Sequence, residues 1–331
     1  MAATRNKKRV FVASTLSPVG WALLNKREDI EAVSFPAPLT GAEFAKLIST
    51  GGETHGAILG GTRFGEAECQ AAKGLRVVAR IGVGYDAIDI PALTKRRVPL
   101  MTVGIANSPS VAEQAVHMML SLAKRGAELN TLVASNKWAS RMSAVPFDLL
   151  DKTVLIIGFG RIGTRTARRC AAMEMKVVIY DPYVPAAAIT AAGYEAVSDL
   201  DAALPRADFV SIHCPKSPET IGMFNAARLA RMKPTAYLIN TARGGIVDEA
   251  ALYAVLTTGK LAAAVLDVYD KEPPEPNNPL LKLPNVLSAP HMAGVTKESL
   301  DRMAIVAVEN CLSVFDGRPN ADNVINKDVL A

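Results

Sequence analysis

The sequence predicts an α/β protein built from two doubly wound units, and three observations carry that prediction. Short β-rich runs alternate with helical stretches almost throughout, the pattern of parallel sheets covered by helices on both faces. One of those runs, TVLII, passes directly into the glycine turn GFGRIG. The length of 331 residues exceeds what one hydrophobic core comfortably organises and suits two domains.

The first series places strands in RVFVAS (9–14), EAVSF (31–35), GAILGG (56–61), RVVARI (76–81) and PLMTV (99–103). A long apolar helix is expected next, from about Pro109 to Lys124. Ser108 or Ser110 can cap it, Pro109 suits its first turn, and Ser110 with Glu113 has the spacing of a capping box. Because it is apolar on most sides, it is expected to be buried between larger units. The second series places strands in TVLIIG (153–158), KVVIYD (176–181), DFVSIH (208–213), AYLINT (236–241), AAAVLDV (262–268) and NVLSA (285–289). A proline-rich loop, PPEPNNP (273–279), separates the last two. The final helix, about Lys297 to Phe315, leaves this series and is expected to return the chain to the first domain. The expected domains are therefore residues 1–104 with 296–331, and residues 105–295. The two halves share an architecture rather than a repeat.

Composition narrows the function classes. Half of the residues are hydrophobic, the usual share for a globular protein. No apolar run reaches the roughly 18 residues of a membrane helix. Lys7, Lys8 and Arg9 before VFVASTLSPVGWALL faintly resemble a signal peptide, but Ser14, Ser17 and Pro18 interrupt the apolar region. The segment reads as a strand followed by a helix, and a cytoplasmic protein is expected. Cys69, Cys170, Cys214 and Cys311 lie far apart with no CxxC pair, so a reduced compartment and no metal cluster are expected. Net charge is +5 with scattered basic residues and no basic stripe interleaved with aromatics, which argues against nucleic acid as a partner. A mild positive balance fits small anionic ligands.

In GFGRIG the glycines of GxGxxG are Gly158, Gly160 and Gly163. The first permits the tight turn, the second lets a pyrophosphate approach the backbone, and the third lets helix and strand pack closely. Helix-opening N–H groups near Arg161 and Ile162 then face the phosphates. The next strand ends in Asp181, about twenty residues on, where a carboxylate hydrogen-bonds the adenosine ribose. That carboxylate repels the extra phosphate of NADP, and YDP (180–182) offers no arginine to receive it, so NAD is the expected cofactor.

The ends of the later strands carry His213-Cys214-Pro215, Thr241-Ala242-Arg243, Asp267 and, just past SAP, His291. Ligands bind at this edge in doubly wound sheets. Reduction of a 2-oxo acid needs a hydride at the carbonyl carbon, a proton for the developing alkoxide and an anchor for the carboxylate. His291 is the natural proton donor, since imidazole titrates near neutrality. Glu272, after DVYDK and before Pro273, is its candidate partner. The planar fork of Arg243 suits a carboxylate and can polarise the carbonyl oxygen. Cys214 reads more readily as a small packing residue than as a nucleophile.

GVGYDAID (82–89), NSPSVAEQ (107–114), GFGRIG (158–163), NTARGGIVDE (240–249), LDVYDKEP (266–273) and APHMAG (289–294) together resemble the D-2-hydroxyacid dehydrogenase family, over about residues 76 to 316. The resemblance implies a Rossmann NAD-binding domain and a flavodoxin-like substrate domain, separated by a cleft, in a homodimer built through the cofactor domain. It implies an Arg243–Glu272–His291 catalytic set. It implies cofactor contacts from the glycine loop, Asp181, Pro182, His213, Cys214, Pro215, Thr220, Thr241, Ala242, Asp267 and His291. Val111 would pack near the nicotinamide ring, or be simply core. Backbone N–H groups of Val83 and Gly84 would hold the substrate carboxylate.

Glu272 stands where the family's formate enzymes have Gln, so formate is not the expected substrate. Arg80 matches a position where phosphoglycerate dehydrogenases also carry Arg. A ligand for a second anionic group and a plain surface or interdomain arginine are both open readings there. The chain is expected to lack the regulatory domains of longer phosphoglycerate enzymes. Hydroxypyruvate, glyoxylate, phosphoglycerate and other small 2-hydroxy acids stay open. So does a second class, an NAD(H)-sensing corepressor that binds partners and keeps the same residues.

Overall fold

The computed structural model describes residues 7–37 and 39–330. Residues 1–6, 38 and 331, which the expected first domain includes, lie outside the described residues. The chain divides into two compact units, Met1–Asn107 with Val295–Ala331, and Ser108–Gly294.

The first unit is a five-stranded sheet of β1 (Lys8–Ala13), β2 (Ile30–Phe35), β3 (Gly56–Leu59), β4 (Val77–Arg80) and β5 (Leu100–Met101). The order is β2-β1-β3-β4-β5 and every pairing is parallel, the flavodoxin-like arrangement. Strands buried on both faces need apolar residues at successive positions, and β1 shows why. Val10 and Val12 face one core, with Ala304, Ala307, Val308 and Cys311 of the helix Lys297–Phe315. Phe11 and Ala13 face the other, with Phe35, Phe44 and Phe64. Phe44 comes from the helix Gly41–Ile48, whose start is fixed by a Thr40–Glu43 capping box. β5 is shorter than PLMTV suggests. Beyond Met101 the Thr102 N–H turns to the Asn323 carbonyl at 2.9 Å, and the Ile325 N–H donates to the Leu100 carbonyl at 2.9 Å. The chain's last segment thus takes over the pairing. Buried Asn310 locks this corner by donating to the Thr102 carbonyl and accepting from Asn323, both at 2.9 Å.

The second unit is a seven-stranded sheet: β6 (Thr153–Ile157), β7 (Lys176–Tyr180), β8 (Glu195–Val197), β9 (Phe209–Ile212), β10 (Tyr237–Asn240), β11 (Ala263–Leu266) and β12 (Val286–Ser288). The order is β12-β11-β10-β9-β6-β7-β8, all parallel, so the winding direction reverses between β6 and β9. This is the Rossmann order with one added strand, and its crevice opens at that reversal. Leu155 and Ile157 face one core, Val154 and Ile156 the other.

The helix Ser108–Lys124 lies in this unit against the helix Gly163–Ala172, where Met119 Sδ and Cys170 Sγ are 3.9 Å apart. The helix begins at Ser108, one residue before the expected start, and the Glu113 side chain reaches Arg169 at 2.9 Å. Among the described residues, no helix is long and apolar enough to cross a membrane. No group of His, Cys, Asp and Glu among them could hold a metal ion.

Candidate active site

The C-terminal edge of the seven-stranded sheet gathers the site strand by strand. β6 runs into the glycine turn and then the helix Gly163–Ala172. Gly163 is obligatory, because a Cβ there would fall 1.9 Å from the Gly158 carbonyl oxygen. At Gly160 nothing lies within 4 Å of where a Cβ would be, so the turn presents bare backbone beside Arg161 and Ile162. Asp181 at the end of β7 is tied to this turn. One carboxylate oxygen accepts the Phe159 N–H at 2.7 Å, and the other accepts those of Tyr183 and Val184 at 2.8 and 3.1 Å, around Pro182.

The loop after β9 begins with a half-buried histidine. His213 Nε2 is 2.9 Å from Ser211 Oγ, and Nδ1 is buried with no hydrogen-bond partner. Burial pushes the His213 pKa down to about 3, so the ring is neutral at pH 7. Burial pushes the Cys214 thiol up to about 11, which keeps it protonated and makes it a packing group. Thr220 Oγ1 donates to the Pro215 carbonyl at 2.7 Å and accepts the Ser217 N–H at 2.8 Å, closing the loop.

After β10, the Thr241 hydroxyl is buried without a partner. Asn240 shapes the turn beyond it. Its side chain accepts the Ala242 N–H at 3.0 Å and donates to the Arg243 carbonyl at 2.9 Å. NTARGG contains the signal for this role, an Asn leading into a turn, which the sequence reading passed over. The half-buried Arg243 guanidinium donates to the Ala242 carbonyl at 2.7 Å.

After β11, Asp267 is buried and accepts the N–H groups of Met292 and Ala293 at 2.8 and 2.9 Å, while its carbonyl accepts that of His291 at 2.8 Å. Burial raises the Asp267 pKa against the effect of those two N–H groups. Held this way, His291 adopts a left-handed backbone, φ 55°. Its Nδ1 lies 2.6 Å from Glu272 Oε2, and Glu272 Oε1 accepts the Tyr269 N–H at 3.1 Å. Val111 is buried in the helix Ser108–Lys124.

The remaining candidates belong to the other unit. Arg80 Nε donates to the Gly84 carbonyl at 3.0 Å and Nη1 donates to the Gly60 carbonyl. Arg80 thus braces the 82–84 loop, and half-buried Val83 packs against the first unit's core.

The second unit fits a dinucleotide. The bare glycine turn at a helix N-terminus, the Asp181 carboxylate, and the unpartnered buried atoms His213 Nδ1 and Thr241 Oγ1 all follow the C-terminal ends of strands β6, β7, β9 and β10, on either side of the point where the winding reverses.

Comparison with known proteins agrees. Residues 116–293 match the family model described as D-isomer specific 2-hydroxyacid dehydrogenase, NAD binding domain. The chain is 41% identical over 257 residues to a D-3-phosphoglycerate dehydrogenase of Archaeoglobus fulgidus, covering 78% of this chain and 48% of that protein. It is 39% identical over 266 residues to a glyoxylate reductase of Thermofilum pendens, covering 78% of this chain and 77% of that one. The crystal structure of the TT0316 protein from Thermus thermophilus matches with a TM-score of 0.84 at 33% identity, covering 96% of this chain and 99% of that one. The chain spans about half the length of the phosphoglycerate dehydrogenases it resembles.

Proposed function

The chain belongs to the D-isomer specific 2-hydroxyacid dehydrogenase family, and from that premise we propose that it transfers a hydride between NAD(H) and C2 of a small D-2-hydroxy or 2-oxo acid. The observation that carries this reading is the 2.6 Å contact of His291 Nδ1 with Glu272 Oε2, on the sheet edge that also bears the glycine turn and Arg243.

NAD(H), when bound, supplies or accepts the hydride. His291 gives the carbonyl oxygen its proton during reduction and removes it during oxidation, through Nε2. Glu272 receives Nδ1–H, which fixes the tautomer and the ring's orientation. Arg243 anchors the substrate carboxylate with its fork and draws charge from the carbonyl oxygen as alkoxide develops. The glycine turn, with Arg161 and Ile162, holds the pyrophosphate, and Asp181 and Pro182 hold the adenosine ribose. His213 to Pro215, Thr220, Thr241, Ala242 and Asp267 complete the cofactor wall, with Val111 near the nicotinamide. The Val83 and Gly84 N–H groups bind the substrate carboxylate, and Arg80 supports their loop. A homodimer belongs to the same proposal on the family resemblance, and a cytoplasmic setting on the four scattered, unpaired cysteines.

The substrates for which the relatives are named, phosphoglycerate and glyoxylate, bracket the acids to try. The test is NADH oxidation by the purified protein with phosphohydroxypyruvate, hydroxypyruvate, glyoxylate and bulkier 2-oxo acids. His291→Ala is expected to lower kcat by about 10²- to 10⁴-fold while NADH still binds. Equal turnover by the variant would reject His291 as the acid/base group. No turnover on any acid would reject the reaction.

A further inference from the structure

Two loops carry the groups assigned above, the turn after β10 with Arg243 and the segment after β11 with Glu272. We propose that Asp270, backed by Glu249, is a positioning residue that registers these loops and so sets the spacing between the carboxylate anchor and the acid/base pair. The inference deepens the proposed function and rests on it.

Asp270 stands two residues before Glu272, and its Oδ1 accepts the N–H of Gly245, two residues after Arg243, at 2.6 Å. The loop backbones meet at the same point. A Cβ at Gly244 would fall 1.8 Å from the Tyr269 carbonyl oxygen and 2.7 Å from the Asp270 nitrogen, so only glycine lets them approach. A Cβ at Gly245 would lie 2.9 Å from Nζ of Lys216, which brings the loop after β9 to this corner as well.

Glu249 holds the other side. One of its carboxylate oxygens accepts the Asp270 N–H at 2.7 Å and the other accepts from Asn278 Nδ2 at 2.8 Å. A single side chain therefore grips both ends of the 270–278 segment, within which Glu272 reaches His291. Glu249 opens the helix Glu249–Thr257, which Asp248 caps by accepting the Ala251 N–H at 2.9 Å. The chain of contacts runs from that helix through Glu249 and Asp270 to the Arg243 turn. Anchor and proton donor must be placed together, because a misplacement near 1 Å lowers rates by about a hundredfold.

The experiment compares Asp270→Ala and Asp270→Asn with wild type. It measures hydrogen–deuterium exchange over residues 241–247, KM for the best 2-oxo acid, and NADH affinity. With the charge-assisted bond to Gly245 lost, Ala is expected to speed exchange there and to raise KM roughly tenfold at unchanged NADH affinity. Asn keeps an acceptor oxygen and is expected to restore both to within about threefold. Unaltered exchange in Asp270→Ala overturns the tie whatever the activity. Faster exchange with an unmoved KM, or a joint fall in NADH affinity and melting temperature, reduces Asp270 to a structural contact and also overturns it. A wild type with no turnover overturns the function itself, and the exchange data separate that failure from failure of the tie.

Discussion

The two sheets share a construction and end in edges made of different material. At the seven-stranded edge, Asp181, His213, Arg243 and Asp267 stand at or just past four separate strand ends, each hydrogen-bonded to its surroundings. At the five-stranded edge, Gly60, Gly61, Gly82 and Gly84 follow β3 and β4, and the Arg80 guanidinium is turned onto the carbonyls of Gly60 and Gly84. The first edge offers side-chain charge and titratable groups. The second offers shaped backbone held by a charge. The same architecture thus ends in side-chain chemistry on one sheet and in peptide groups on the other.

Asp181→Ala is the largest expected break in this comparison. On the proposed function, losing the carboxylate would remove the ribose partner and the repulsion of a 2′-phosphate together. The ratio of kcat/KM for NADH to that for NADPH should fall by about a hundredfold. Steady-state kinetics with both cofactors check it, and an unmoved ratio removes Asp181 from the ribose site.

His213 sharpens the comparison, because it is a side chain of the first edge that burial keeps uncharged. Its pKa is about 3 when folded, against about 6.5 for an exposed histidine. Between those values the unfolded chain binds a proton that the folded chain does not. Stability therefore falls as pH drops below about 6.5, by up to about 1.4 kcal/mol per unit. From pH 7 to pH 5 the loss from this group is about 2 kcal/mol. Urea unfolding at both pH values should show a smaller acid loss for His213→Gln than for wild type, and equal losses would exclude His213 as the cause.

Arg80→Ala probes the second edge and has the smallest expected effect. Without its brace the 82–84 loop loosens, and KM for the oxo acid should rise roughly tenfold while NADH affinity stays constant. An unchanged KM would show that the loop holds its shape alone.

Much of the fold was legible because parallel strands buried on both faces are nearly continuous apolar runs. β6 and β7 are plain in TVLII and KVVIY. β8 was missed: it is three residues long, at the sheet's edge, with no fully buried position. The helix Gly126–Ala134 buries no residue and so leaves no clear stripe. β5 was overread because the competing partner, Asn323, lies more than two hundred residues away. In the site, residue types and their strand ends were readable. The carboxylates that fix backbone were not. Asp267 on Met292, Asp270 on Gly245 and Glu249 on Asp270 join residues more than twenty apart through one side chain and one peptide group, and such bonds have no period in the sequence.

The helix Lys297–Phe315 has a consequence for the order in which the molecule can be made. It covers one face of the first sheet, yet it is synthesised after the whole of Ser108–Gly294. While the ribosome builds the second unit, Val10, Val12, Ile58, Val77 and Ala79 have no Ala304, Ala307, Val308 or Cys311 to pack against. The unit begun first is therefore completed only after the second, and one face of its sheet stays partly uncovered while the second is being made.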